Sequence, residues 1–501
     1  MKAEQEKLCA AVTARWRLDR LPFLTALAVG LLAHGYAFAN KLVNHDEIES
    51  LFGKGATITS GRWGLELVKI LFPDWSMPWI YGLLSLVMMA AAICLMLDYL
   101  ELKSPALRLL SAAIVISFPT MTGIFCFMFT SSAYAWAFLL AVLSVAVLRR
   151  GSKGRLARGL VLLVLALGIY QAFIAVTAAL FLLRMLRDAM DAERPVRDIV
   201  LDGVRALAFM AAAIAVYCAV TLLVFRFTGA AFNSYVTENV NGSVGLLRRV
   251  RMAYDAFFYV FSFRNFYLVP TEFSRYLHIV LGCLLLLGLG ALAARKKSPL
   301  HAALLLVLTL LLPLCICCMY LIMSQQSIHT LVLYSFTALY LLAALVIERL
   351  SGRAGRAAGT LLSLMLAIVT AVNVGFANMT YLKLQLQYEN AYAFYTALSA
   401  QIVQTEGFDG DCRLAFVGYQ DNLLHRFPEL DTALLQGPSP DLVNIYSREN
   451  FLRYYLGFDI PFASEEETER LAEDPRVLAM AEYPYYGSVR KIDDFIVVRL
   501  G

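Results

Sequence analysis

Charge is what this chain has little of. Asp, Glu, Lys and Arg together make up 16% of its 501 residues, where a soluble domain carries about 25%. Hydrophobic residues make up 60% and the mean hydropathy is +0.65, so lipid is the natural solvent for most of the chain. The formal net charge is only +5 and its basic residues are dispersed, which argues against nucleic acid as a partner. No Gly-rich phosphate loop follows a strand pattern, so no nucleotide site is expected. Internal repeats and low-complexity tracts are also missing. The nine cysteines carry little chemistry. Cys94, Cys126, Cys218, Cys283 and the cluster Cys315, Cys317, Cys318 lie in apolar runs, where they act as small hydrophobes. His301 and His329 stand too far from that cluster for a metal-site spacing. Outside the runs only Cys9 and Cys412 remain, with no pairing pattern.

Long apolar runs are what the chain does have. They recur at 21–39, 78–97, 106–128, 129–148, 205–225, 274–294, 300–323, 328–347 and 357–377, each about long enough to cross a bilayer. The first follows basic residues and ends in Ala37-Phe38-Ala39, which imitates a leader cleavage site; its length makes it an uncleaved first helix instead. Lys and Arg fall in alternate loops: Arg15, Arg17 and Arg20, then Lys103 and Arg108, then Arg149 to Arg158. By the positive-inside rule these loops are cytoplasmic, which puts 40–78 outside.

The region 159–187 decides the rest of the topology. A single long span there would export every later basic loop, including Arg295-Lys296-Lys297 and Arg349/Arg353/Arg356. A break at Gly168-Ile169-Tyr170-Gln171 gives two half-helices that enter and return on one side, with the freed backbone groups satisfied inside protein. The expected fold is mainly α: a polytopic transmembrane bundle of about 11 membrane segments over residues 1–377, with outer loops at 40–78 and 228–274. Residues 378–501 have ordinary soluble character and read as a small extracytoplasmic α/β or α+β domain. Within it 388–406 is an amphipathic helix, and 413–418 and 495–500 are short buried strands. In the second outer loop, 245–260 interleaves apolar and basic residues like a helix lying in the interface plane.

Polar residues gather in the 40–78 stretch. Asp46 and Glu47 read first as a helix start, capped by Asn44 or Asp46 and favoured by the macrodipole. A carboxylate just beyond the first span can also take the proton of an attacking hydroxyl. Arg62 sits in Ser60-Gly61-Arg62-Trp63-Gly64, where the glycines permit a tight turn. Its guanidinium suits either ordinary headgroups or a departing lipid phosphate. Lys69 lies in the same loop and is a further donor-phosphate candidate. Arg248, Arg249 and Arg251 form a second phosphate candidate, for which a solvated or headgroup-facing surface is the favoured alternative. Trp63, Trp75 and Trp79 fit an interfacial aromatic belt, with stacking on sugar as the other role for Trp63. Tyr170 and Gln171 either satisfy the helix break or line a donor site. The adjacent acids leave a divalent cation, Mg2+ or Mn2+, open beside a phosphate, but two carboxylates alone do not make a cation site; none is expected to be essential.

Asn44-His-Asp-Glu after the first span, Ser60-Gly-Arg-Trp, Gly168-Ile-Tyr-Gln and Tyr483-Pro-Tyr-Tyr-Gly-Ser together resemble the GtrII-type glucosyltransferase family. The likeness runs over nearly the whole chain. It implies a bacterial membrane glycosyltransferase of the GT-C architecture. Such an enzyme takes a hexose, glucose by the family, from a polyprenyl-phosphate carrier and passes it to O-antigen or another extracytoplasmic glycan. By the same resemblance Asp46 or Glu47 is the catalytic carboxylate and Arg62 belongs to the donor phosphate site. After Met323 only His329 offers itself as a substrate-binding residue. A transporter of lipid-linked sugars is the rival reading, and it would distribute polar groups through several spans. A membrane-anchored binding protein is another, and it would be indifferent to Asp46.

Overall fold

The computed structural model describes residues 2–51, 57–71, 75–149, 154–240, 244–261, 271–295, 298–323, 330–418 and 442–501, with residues 2–17, Tyr235 and Phe261 described by backbone alone. His329 lies outside the described residues. The chain divides into two compact units. One gathers residues up to Lys41 and Phe52–Thr380; the other takes Leu42–Leu51 together with the chain from Tyr381 onward, apart from 432–437.

The first unit is helical. It begins with α1 (Lys2–Ala39), and α2 (His45–Glu49) follows in the second unit. Then come the short α3 (Gly64–Lys69), α4 (Pro78–Tyr99), α5 (Pro105–Ile116), α6 (Pro119–Cys126) and α7 (Met128–Arg149). Proline at the first helical position starts α4, α5 and α6, where its missing N–H costs nothing and its fixed φ suits the helix. Pro119 also separates α5 from α6, because the residue before a proline is pushed out of the helical region. The bundle continues with α8 (Arg155–Ile169), α9 (Ile174–Asp191), α10 (Val196–Thr228), α11 (Ser234–Asn239), α12 (Leu246–Phe261), α13 (Glu272–Ala294), α14 (Pro299–Ile316), α15 (Thr337–Arg349) and α16 (Gly352–Val403).

Among the described residues eight helices are long and apolar enough to cross a membrane, fewer than the eleven or so segments read from hydropathy. The expected span at 328–347 is two 3-10 turns, Thr330–Val332 and Tyr334–Phe336, followed by α15 of only 13 residues. At 1.5 Å per residue α15 covers about 20 Å, short of a hydrocarbon core of about 30 Å. The legs α8 and α9 are 15 and 18 residues long, and α9 carries Arg184, Arg187, Asp188 and Asp191. The helix expected to stop near Ala377 runs on unbroken to Val403, because no Gly or Pro interrupts 378–403. The amphipathic 388–406 segment is therefore the last part of α16.

Salt bridges fix where the legs end. Glu101, just after α4, accepts Arg149 from the end of α7 and both Arg184 and Arg187 from the end of α9. Arg184 also donates to Tyr99 O at 3.0 Å. Arg349 at the end of α15 grips Asp191 through two bonds of 2.6 and 2.8 Å. The chain thus turns back at Tyr170, and α9 returns to the end of the bundle from which α8 set out.

The second unit is built on a three-stranded sheet of order β1-β3-β2, with β1 (Arg413–Val417) parallel to β3 (Phe495–Arg499) and β2 (Val489–Ile492) antiparallel to it. The two strands read as apolar runs are β1 and β3. Both are covered on both faces, which is why they read as continuous runs rather than alternating ones. Leu414, Phe416, Ile496 and Val498 face one core and Ala415, Val417, Phe495 and Val497 the other. Among the described residues the unit also holds α2 and the short helices α17 (Arg448–Asn450), α18 (Glu465–Ala472) and α19 (Pro475–Leu478), with a π-helical turn at Phe451–Tyr455. A capping box between Ser464 and Glu467 starts α18. Val43 and Ile48, flanking the carboxylate pair, are part of the first core, with Tyr395, Leu398, Phe451 and Leu452.

Candidate functional site

Within the first unit the elbow between α8 and α9 receives the Ser60–Gly64 turn. Tyr170 leaves the helix with φ −152° and ψ 109°, and Gln171 begins a single 3-10 turn. The Gln171 side-chain amide donates to Ser60 O at 3.0 Å and to Tyr217 Oη at 2.9 Å. Tyr217 in turn donates to Gly61 O at 3.0 Å. Asn233, at the start of α11, donates from Nδ2 to Ser60 Oγ at 3.1 Å and from its backbone N to Thr59 O at 3.0 Å. Gly61 sits at φ +71°, and a Cβ there would stand 2.6 Å from Tyr217 Oη, so glycine is required twice over.

This frame holds Arg62 in an aromatic setting. Its guanidinium lies over the Tyr170 ring, 5.3 Å from the centroid, and Nη1 donates to Tyr134 Oη at 3.3 Å. Tyr134 and Tyr170 stack on each other, centroids 4.3 Å apart and 24° from parallel. A guanidinium fixed on aromatic rings and partly withdrawn from water is prepared to grip a phosphate with its planar fork.

Trp63 is 9% exposed, its Nε1 donates to Thr221 Oγ1 at 3.2 Å, and it packs with Leu163, Leu167 and Phe209. The indole builds the elbow, whereas Trp75 and Trp79 are exposed as a belt would have them. Lys69 pairs with Glu66 at 3.1 Å, and Glu66 also accepts the Thr57 hydroxyl. In α12, Arg249 closes a turn: it donates to Leu321 O at 3.0 Å, Ile322 O at 2.9 Å and Val244 O at 2.9 Å. Arg251 pairs loosely with Asp255 at 3.5 Å, and Arg248 is exposed. Tyr134, Tyr217, Thr221 and Asn233 were not singled out by the sequence. For the first three the available signal was a hydroxyl-bearing residue inside a span, where polar groups mark sites more often than they do in water; Asn233, in the expected outer loop, carried no such signal.

The carboxylate pair belongs to the second unit. Asn44 caps α2, its Oδ1 accepting Glu47 N at 2.9 Å, so the helix-start role is realised. Asp46 is exposed and pairs with His45 Nε2 at 3.1 Å; Glu47 is 0% exposed. Consecutive helical residues do not face each other, and here one carboxylate meets solvent while the other is enclosed. No group of three or more His, Cys, Asp or Glu suited to a metal ion occurs among the described residues. Glu49, though exposed, is held above the usual carboxylate range by partial desolvation and by the neighbouring Glu449 and Asp46 charges. Buried Glu47 lies near Tyr455, whose hydroxyl is pushed up by its own burial first and by the Glu47 charge second.

No curated protein and no solved structure matches the chain significantly. The family model described as Glucosyl transferase GtrII matches residues 35–346, a stretch that takes in the carboxylates, the Arg62 turn and the α8–α9 elbow; the chain belongs to the GtrII glucosyltransferase family.

Proposed function

We propose that the chain transfers a hexose, glucose by its family, from a polyprenyl-phosphate carrier to an extracytoplasmic glycan such as O-antigen or another surface polysaccharide, with inversion. The observation that carries the reading is Arg62, stacked on Tyr170 and bonded to Tyr134 in a turn locked by Gln171 and Tyr217. Such a cation suits the phosphate of the donor and offsets the charge that develops as polyprenyl phosphate departs. Asp46 takes the proton from an acceptor hydroxyl as that oxygen attacks the anomeric carbon and the bond from this carbon to the phosphate oxygen breaks. We assign the base to Asp46 rather than Glu47 because Asp46 is the exposed one of the two. The end of the bundle carrying Arg149, Arg184 and Arg349 is cytoplasmic by its basic loops, and the second unit is extracytoplasmic, in a bacterial cytoplasmic membrane.

The test is transfer from polyprenyl-phosphate-hexose to glycan by inserted, stable protein. Asp46→Asn is expected to abolish transfer while Glu47→Gln retains it. Retained turnover in Asp46→Asn removes the assigned base, and donor movement across the bilayer without a glycan product would favour a transporter.

A further inference from the structure

At the other end of α8 and α9, between the two legs and the start of α10, lies a cavity of about 730 Å³. It is separate from the elbow. From Arg155 to Ile169 the α8 axis rises about 21 Å, so the mouth of the cavity and the Arg62 cradle sit at opposite ends of the same two helices. Five arginines line it, Arg149, Arg155, Arg184, Arg194 and Arg205, against two acids, Asp188 and Asp202. Glu101 stands behind, bonded to Arg149 and Arg184. Even with Glu101 counted, five cations face three anions.

Four of the five arginines are held in place. Asp188, itself buried, takes Arg184 Nε at 3.3 Å, Arg187 Nη1 at 3.1 Å and Arg194 Nη1 at 2.8 Å. The other arm of Arg194 reaches Asp202 at 2.7 Å, which also meets Arg205 at 3.1 Å. No hydrogen bond or ion pair holds Arg155 among the described residues. Below this rim the wall is apolar, formed by Leu160, Phe181 and Phe209, and Leu156 at the mouth is exposed. The positive-inside preference accounts for arginines at this end of the bundle. It does not account for their lining a half-open cavity with a greasy wall.

We propose that this cavity binds an anionic phospholipid. Its phosphate sits among Arg155, Arg194 and Arg205, and an acyl chain lies along Leu160, Phe181 and Phe209. Basic pockets between membrane helices take lipid headgroups by this pairing of charge with an apolar wall. A free phosphate would use the rim and leave the wall in water, so the lipid is the better match.

The experiment is native mass spectrometry and thermal unfolding of the full chain in neutral detergent, titrated with phosphatidylglycerol, phosphatidylcholine or inorganic phosphate. Phosphatidylglycerol is expected to bind and raise the unfolding temperature, with phosphatidylcholine far weaker. The double variant Arg155→Gln/Arg205→Gln changes only exposed rim residues and is expected to weaken phosphatidylglycerol on the order of tenfold. Leu160→Trp fills the apolar wall without altering charge and is expected to weaken it as well. Equal binding of the two lipids, or unchanged phosphatidylglycerol affinity in both variants, overturns the proposal. So does inorganic phosphate that protects as well as the lipid.

Discussion

Gly64 lies directly against Gly168: a Cβ on Gly64 would stand 2.7 Å from the Gly168 carbonyl carbon, and a Cβ on Gly168 would stand 2.5 Å from the Trp63 indole. Two stretches a hundred residues apart in the chain meet here with no room for a methyl group. Gly168→Ala is expected to push the indole and the Ser60–Gly64 turn away from the elbow, at a cost of about 1–3 kcal/mol. The readout is transferase activity alongside thermal unfolding; an alanine variant with full activity and unchanged stability would show that the contact is not needed.

Arg62→Lys keeps the charge and loses the planar fork and the stack on Tyr170. We expect the apparent KM for the proposed polyprenyl-phosphate donor to rise about tenfold or more, while Arg62→Ala lowers kcat/KM by roughly 10²–10³. Steady-state kinetics with donor as the varied substrate checks this. A lysine variant with wild-type donor kinetics would point to a general cation effect instead.

Glu49 carries a pH signature. Glu49 is exposed, and its folded-state pKa is raised first by partial desolvation and then by the Glu449 and Asp46 charges. A carboxyl raised on folding favours the folded state below its unfolded pKa, and that advantage is lost as pH rises through the folded value. Glu49→Gln is therefore expected to raise the unfolding temperature of the second unit at pH 7 and to leave it unchanged near pH 3. Melting curves across that range test the sign; a variant less stable at neutral pH would contradict it.

Orientation can be read with a thiol reagent that does not cross membranes. The native Cys412 is a poor reporter, because it is buried with its Sγ on Asp409 Oδ1 at 3.0 Å. Tyr486 is 99% exposed, in a turn anchored by Ser488 N to Tyr485 O at 3.1 Å. Tyr486→Cys is expected to be labelled from outside intact spheroplasts. Labelling only after the membrane is opened would reverse the assigned topology.

Much of the bundle was legible because hydropathy and loop charge act locally. The return of α9 followed from where the basic residues fall, and β1 and β3 from apolar runs closed by turn residues. The short α15 was not legible, since Leu331, Tyr334 and Phe336 are apolar whether they lie in a helix or in 3-10 turns. Arg62 and Gln171 stood out in the sequence as separate motifs, but their shared frame passes through Tyr217 and Tyr134, single polar residues in apolar helices. The place of Asp46 was hidden most deeply. Its helix packs with Phe451 and Leu452, a long-range contact that no local pattern encodes.

That last contact sets an order in time. Glu49 O accepts Asn450 Nδ2 across 401 positions, so the helix bearing the proposed base cannot complete its contacts until residue 450 has been made. At the usual pace of synthesis this interval is roughly 20–80 s. A chain stalled or cut before about residue 450 would lack the Asn450 bond and the Phe451 and Leu452 packing that hold the helix of the proposed base.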